Sequence, residues 1–490
     1  MRHSSRRAAR PPAGAHRPLT IVALVLLGLA AVAVVVDPNI ASASQTSPRA
    51  PATAPSVPST TAASGGGAAT GVPPVTGAVT GGVRRTPAGA AAASPVPSGV
   101  DLDAGVPGVA PPAAIADDCS ADVSAALQAW LATLPADTLV RPPAGACYRV
   151  DRGITLAFRQ GLTIDGGRWE NTITQRTYSG RGRGRATFNV LGGSHVTLED
   201  LTIVGANPGG YHRALAFEAG IDLQGTADAV VRNLAVDHVY GDGITLDPLR
   251  GSADHMSGTI LAPVSGLDVD TVDITGSGRQ GIALVSVDGA TIDDVALTNV
   301  GQDTFDVEAD QANEGATDVT IDGCTSSTWN GGAFFADGGA GNGPSTGHIT
   351  VENCRMLHPQ GGDAVMVKDS GSSPVPRGPI TFSDDTLWCG ASVYVGCFQL
   401  DRADVTVTGS LVEYPKHNSI REVLYHAGSA SSLSFVDDSV LGYGHLGQGR
   451  SSSTVLVSGG SWLPADAGTG ARFIDVVRRH SRHSGPRRRR

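Results

Sequence analysis

A chain of 490 residues with 64 glycines, 5% aromatics and 17% charged residues can hold two or three average domains or one long repetitive one. Its formal charge of −10 hides a division. Residues 1–17 carry five arginines and residues 478–490 carry seven, neither segment holds an acid, and the body between them is near −22 (−10 − 12). So acidic a body argues against nucleic acid as a partner.

The chain begins with an arginine-rich stretch, then an apolar run from Leu19 to Val36 and the small residues Ala41-Ser-Ala43. This pattern predicts a signal peptide or signal anchor over residues 1–43. The body then lies outside the cytoplasm, secreted or held at the cell envelope, with the membrane met only through that segment. Residues 44–115 are Ala, Pro, Ser, Thr, Gly and Val with almost no large apolar side chain, which predicts a disordered linker. Val123, Leu127, Trp130, Leu131 and Leu134 then recur at helical spacing, with Ser120 as expected N-cap and Pro135 as stop. Residues 478–490 read as a basic, solvated tail. Six cysteines in an exported chain fit three disulfides, and none has the CxxC spacing of a zinc site.

From Gly161 onward one phrase recurs: apolar, any, apolar, two polar, apolar, any, apolar. Its second apolar residue is Ile164, Leu198, Val231, Val269, Ile292, Ile321, Val351, Phe382, Val407, Phe435 and Val457 in turn, at steps averaging near 29 residues. Such a period marks a solenoid. Thirteen residues after four successive anchors stand Ile244, Ile282, Phe305 and Phe334, and two further on Leu246, Leu284, Val307 and Ala336. Period 2 is strand periodicity. The reading is an all-β, single-stranded right-handed parallel β-helix of 10–11 coils over residues 116–477, closed at its N-terminal end by the helix. The repeat favours the pairs Cys119–Cys147, Cys324–Cys354 and Cys389–Cys397 among the fifteen possible connectivities. Cys324 and Cys354 fall at the same offset on adjacent coils, within disulfide reach.

Outward positions then become columns. One reads Asp242, Gln280, Asp303, Gly332 and, after one inserted residue, Asp363; a second Thr245, Ala283, Asp306, Phe335 and Met366; a third Asp247, Val285, Glu308, Asp337 and Lys368. Asp242 and Asp303, two coils apart, should lie roughly 9–10 Å from each other. That suits an acid and a base acting on a glycosidic bond through a water. Glu308 and Asp337, one coil apart, would repel unless one is protonated or a cation such as Ca²⁺ lies between them. His238 and Tyr240 lead into the Asp242 coil, and Arg279 lies between the acidic coils. The long insertion Asp247–Ser265 suits the wall of a groove.

The opening "CSADVSAALQAWLATLP…VRPPAGACYRV" and the repeats resemble the pectate-lyase-like β-helix superfamily over roughly residues 117–477. "GDGITL" (Gly241–Leu246) looks like the Asp-Gly strand motif of polygalacturonases, "GQD" (Gly301–Asp303) is similar to their acidic pair motif, and "GRQGIAL" resembles their Gly-His-Gly coil. The resemblance implies Asp242 and Asp303 as catalytic acids, with Gln280 where the family has histidine. It also implies, from the superfamily's lyases, a Ca²⁺-assisted elimination with Arg279 as base. Here "GRQGIAL" lies between the two acidic motifs, Gln302 and Thr304 flank a single acid, and the family's Arg-Ile-Lys element is absent.

The expectation is therefore an exported polysaccharide-active protein, hydrolase or lyase, acting as a monomer or β-helix oligomer. Asp242, Arg279, Asp303, Asp306 and Glu308 are its candidate catalytic residues. His238, Tyr240, Gln280 and Lys368 are candidates for substrate binding, and Glu308 with Asp337 for calcium. The competing expectation is a non-catalytic surface β-helix that binds glycan as an adhesin does.

Overall fold

The computed structural model describes residues 107–174, 186–251, 258–309, 311, 314–328, 331–337, 346–358, 364–368, 377–389, 397–414, 423–428, 430–442, 445–449, 453–462 and 472–475. The leader, the linker up to residue 106, residues 252–257 of the long insertion, Asp363 and the basic tail lie outside them. The described chain is a single-stranded, right-handed parallel β-helix. The handedness is that of any crossover between parallel strands of one sheet.

All eleven anchors are register partners of their successors, from Ile164↔Leu198 through Ile292↔Ile321 to Phe435↔Val457. The ladder extends one step beyond the phrase at each end, to Val140 and to Asp475. The residue two places after every anchor has positive φ: Gly166, Asp200, Asn233, Thr271, Asp294, Gly323, Asn353, Asp384, Gly409, Asp437 and Gly459. The two polar residues of the phrase are thus the bend between two strands of a coil, and left-handed backbone is why Gly, Asn and Asp dominate there. Thr271 is the exception, a β-branched residue at φ 55°. Thr271→Asn is expected to raise stability by about 1 kcal/mol in urea denaturation; a loss would show that the threonine hydroxyl outweighs the strain.

The position after each bend points inward. Here Cys324 and Cys354 stack and are joined, followed by Asp385, Ser410 and Asp438. Asp385 accepts from the Cys354 N–H at 2.7 Å and Asp438 from the Ser410 N–H at 2.8 Å. Burial raises Asp385 to about 7 and Asp438 to about 6, from an ordinary 3.8. An acid that holds its proton more tightly when folded contributes stability that is complete below its unfolded value and lost as pH rises through the folded one. The melting temperature is therefore expected to fall by about 3–6 °C between pH 5 and pH 8. Asp385→Asn, which keeps the acceptor, should flatten that slope; an unchanged slope would place the titration elsewhere. The other two expected disulfides, Cys119–Cys147 and Cys389–Cys397, are also formed.

A second sheet of eleven parallel strands carries the outward columns: β1 (Ile154–Ala157), β2 (Phe188–Leu191), β3 (Ile221–Gln224), β4 (Ile244–Asp247), β5 (Ile282–Leu284), β6 (Phe305–Glu308), β7 (Phe334–Asp337), β8 (Val365–Lys368), β9 (Phe398–Asp401), β10 (Val423–Ala427) and β11 (His445–Gly449). Ile244, Ile282, Phe305 and Phe334 stand one above another, all with no exposed surface. Aromatic rings fill the interior above them, with Phe334, Phe382, Phe398 and Phe435 meeting edge to face.

Helix α1 (Ser124–Leu131) closes the bottom, burying Leu127 and Leu131. Gln128 completes the exposed edge of β1 with its side-chain amide. Its Nε2 donates to the Thr155 carbonyl at 2.8 Å and its Oε1 accepts the Thr155 N–H at 2.7 Å. Ser120 is not the N-cap: it lies in a strand, Asp118–Asp122, that pairs with Cys147–Arg149. Val123 holds the cap position, and Asp122 accepts the Ser124 N–H at 3.0 Å.

Candidate active site

Asp242, Gln280 and Asp303 each stand two residues before a strand, at β4, β5 and β6. Backbone hydrogen bonds run from Gly243 N–H to the Gln280 carbonyl and from Gly281 N–H to the Asp303 carbonyl, so the three form the expected column. Gly243 and Gly281 have no room for a side chain: a Cβ on Gly243 would lie 2.5 Å from Ile274 and one on Gly281 2.6 Å from the Thr304 carbonyl oxygen. Glycine next to the functional side chain lets the coil enter the strand so closely. Two steps of strand spacing put Asp242 and Asp303 roughly 9–10 Å apart.

Arg279 joins the group. It donates to Asp242 at 3.2 Å, lies 3.9 Å from Glu308, and stacks its guanidinium over the Phe217 ring at 5.5 Å. Asp242 is 2% exposed and also accepts the Gln280 N–H and the Thr245 hydroxyl, both at 3.0 Å. Asp306 lies on the outer face of β6, yet only 2% of it is exposed. The Gln280 side chain donates to its Oδ2 at 2.6 Å, and its Oδ1 is buried with no hydrogen-bond partner. Burial first, then the charges of Glu308 and Asp303, push the Asp306 carboxyl well above the carboxylate range. Asp303 is also raised by burial, against the pull of its hydrogen bond from the Gly332 N–H at 2.6 Å. Two acids whose carboxyls burial raises thus stand beside two held in ion pairs by Arg279.

Glu308 and Asp337 are register partners, as expected. Each is met by a cation of the chain itself: Glu308 by Arg279, Asp337 by the Lys368 ammonium at 3.4 Å. Lys368 also lies over the Phe335 ring at 4.8 Å. Carboxylates already neutralised in this way fit a hard dication poorly. Among the described residues the one close group of three His, Cys, Asp or Glu side chains is Cys119, Cys147 and Glu170, and its sulfurs are joined in the disulfide. No step is therefore routed through calcium.

The structure brings Asp242, Arg279, Gln280, Asp303, Asp306 and Glu308 into one connected group, with Asp337 and Lys368 beside it. His238 pairs instead with Asp237. Tyr240 is buried, packs edge-on against His212, and lines a small cavity with Thr187, Glu218 and Val239. The sequence reading passed over Asp222, Gln224 and Asn189, the outward residues of β3 and β2. Gln224 donates to Asp222 at 2.6 Å, and both are buried. It also passed over Phe217. The alternation in Ile221-Asp222-Leu223-Gln224 was the available signal.

No family model matches the chain, and no curated protein does. Solved β-helix structures do resemble it. DFA-IIIase from Arthrobacter chlorophenolicus A6, without its lid, superposes with a TM-score of 0.51 at 12% identity, covering 74% of this chain and 99% of that one. The catalytic unit of a GH87 α-1,3-glucanase from Streptomyces thermodiastaticus gives 0.46 at 15% identity, over 75% of this chain and 69% of that one. The adhesin PfbA of Streptococcus pneumoniae gives 0.43 at 12%, over 74% and 98%. The likeness is one of fold.

Proposed function

We propose that this is an exported β-helix enzyme that hydrolyses glycosidic bonds of a polysaccharide on the outer face of β4–β7. The observation that carries the reading is the acid group around Arg279: burial raises the Asp303 carboxyl above its ordinary value, and Asp242, two coils below, is held in an ion pair. In this reading Asp303 gives its proton to the glycosidic oxygen as the bond from that oxygen to the anomeric carbon breaks. A water adds to the anomeric carbon from the opposite face, and its proton passes to Asp242. Arg279 steadies the charge on Asp242, and the rings of Phe217 and Phe335 offer apolar faces for sugar rings. Three disulfides and the apolar leader support action outside the cytoplasm.

A second reading, glycan binding without turnover, is favoured by one observation: the Asp242 carboxylate already accepts three hydrogen bonds. The test is incubation of the purified chain with a panel of plant and microbial polysaccharides, with and without chelator. New reducing ends that survive chelator are expected. New ultraviolet absorbance would indicate elimination instead, and retention without products would establish the binding reading.

A further inference from the structure

The outer face of the eleven-stranded sheet is unequally open. Along the middle outward column, Asn189, Asp222, Thr245, Ala283 and Asp306 of β2–β6 are buried, the most exposed at 9%. Above them Phe335, Met366 and Gln399 of β7–β9 are only half-buried. These side chains point away from the coil interior, so something outside the coil must cover the lower ones.

Two insertions flank these strands, one at each end. A hairpin of Leu249–Arg250 paired with Ile260–Ala262 follows β4 directly. Leu249 lies against the residues that end β2 and β3: a Cβ on Gly225 would fall 2.4 Å from the Leu249 Cβ, and one on Gly192 3.4 Å from its side chain. Arg250 forms an ion pair with Glu314, two coils away, with side chains only 1% and 0% exposed. Glu314 also accepts the Gln311 N–H at 2.7 Å. On the other side, at the entrances to β4 and β5, the segment 205–220 is fixed by Asn207, which donates to the Val239 carbonyl at 3.1 Å. The same segment carries Phe217 under Arg279. One insertion thus closes each end of the lower strands.

We propose that the acid group around Arg279 is the blind end of a groove that opens only toward the C-terminal coils, so that the protein acts on glycan chain ends and releases one short product of fixed length. The proposal rests on the hydrolase reading. A chain bound through its middle would have to continue across β2–β4, where the outward residues Asn189, Asp222 and Thr245 are buried between the two insertions. Toward β9, among the described residues, the face is more open, past the half-buried Phe335, Met366, Lys368 and Gln399. Substrates are therefore glycans that present a free end, short oligosaccharides included.

The test follows the full chain acting on whichever polysaccharide it cleaves, with viscosity, reducing ends and product sizes measured from the first minutes. A single product size, with reducing ends accumulating while viscosity barely falls, is the expected result. A ladder of sizes with early collapse of viscosity would overturn the blind end and leave the hydrolase reading standing. No product from any glycan would remove that reading, and the proposal with it.

Discussion

Asp303→Asn is expected to lower turnover by about 100- to 10,000-fold, the usual contribution of a general acid, while the thermal transition stays in place. The side chain occupies the column between Gln280 and Gly332, and its Oδ1 accepts the Gly332 N–H at 2.6 Å. Asparagine keeps that acceptor and the volume and loses only the proton. Because burial raises the Asp303 carboxyl, wild-type activity should persist above the ordinary carboxylate range and fall as pH rises through the raised value. The same shift means that the wild type loses stability relative to Asp303→Asn at alkaline pH. Unchanged turnover in the variant would remove Asp303 from the mechanism.

Phe334→Ala is expected to cost about 3–5 kcal/mol. Phe334 is fully buried between Phe305 below and Val365 above, and meets Phe382 edge-on at 5.4 Å. Alanine leaves a void that the neighbouring coils cannot fill without breaking their ladders, whereas Phe334→Leu should cost less than half as much. Urea denaturation measures the loss, and hydrogen exchange should locate it in the coils around β7, since a solenoid loses structure locally. Gly332, which anchors Asp303, lies two residues upstream, so activity should weaken along with the coil. A cost below about 1 kcal/mol would mean that the interior is not packed around this ring.

The winding was legible because a strand inside a solenoid must repeat two demands at every coil. Apolar residues have to alternate, and a residue tolerant of left-handed backbone has to stand after each anchor. Ile164 through Val457 satisfy both, apart from Thr271 in the second. The column of Asp242, Gln280 and Asp303 followed directly, since register converts sequence offset into position. The coil between Leu198 and Val231 escaped, because segment 205–220 pushes β3 to 23 residues after its anchor instead of 13. Depth escaped as well. Alternation reveals which way Asp306 points, and only the folded chain, with an insertion at each end of the lower strands, reveals how little of that face is open. Ser120 misled because pairing of Asp118–Asp122 with Cys147–Arg149 overrides a local capping preference. The pairing of Lys368 with Asp337 depends on side-chain reach, which offsets do not encode.

The central claim is that acids dozens of residues apart share one wall because their strands are stacked in register. Cross-linking tests it most directly. Ala283 and Asp306 face each other on β5 and β6, with side chains outward, while Phe305 points into the coil. Mild oxidation of a variant carrying Ala283→Cys and Asp306→Cys should join the two peptides in a mass spectrum. A variant carrying Ala283→Cys and Phe305→Cys should stay unlinked. Two free thiols in the first variant, or a link in the second, would contradict the register and with it the shared wall.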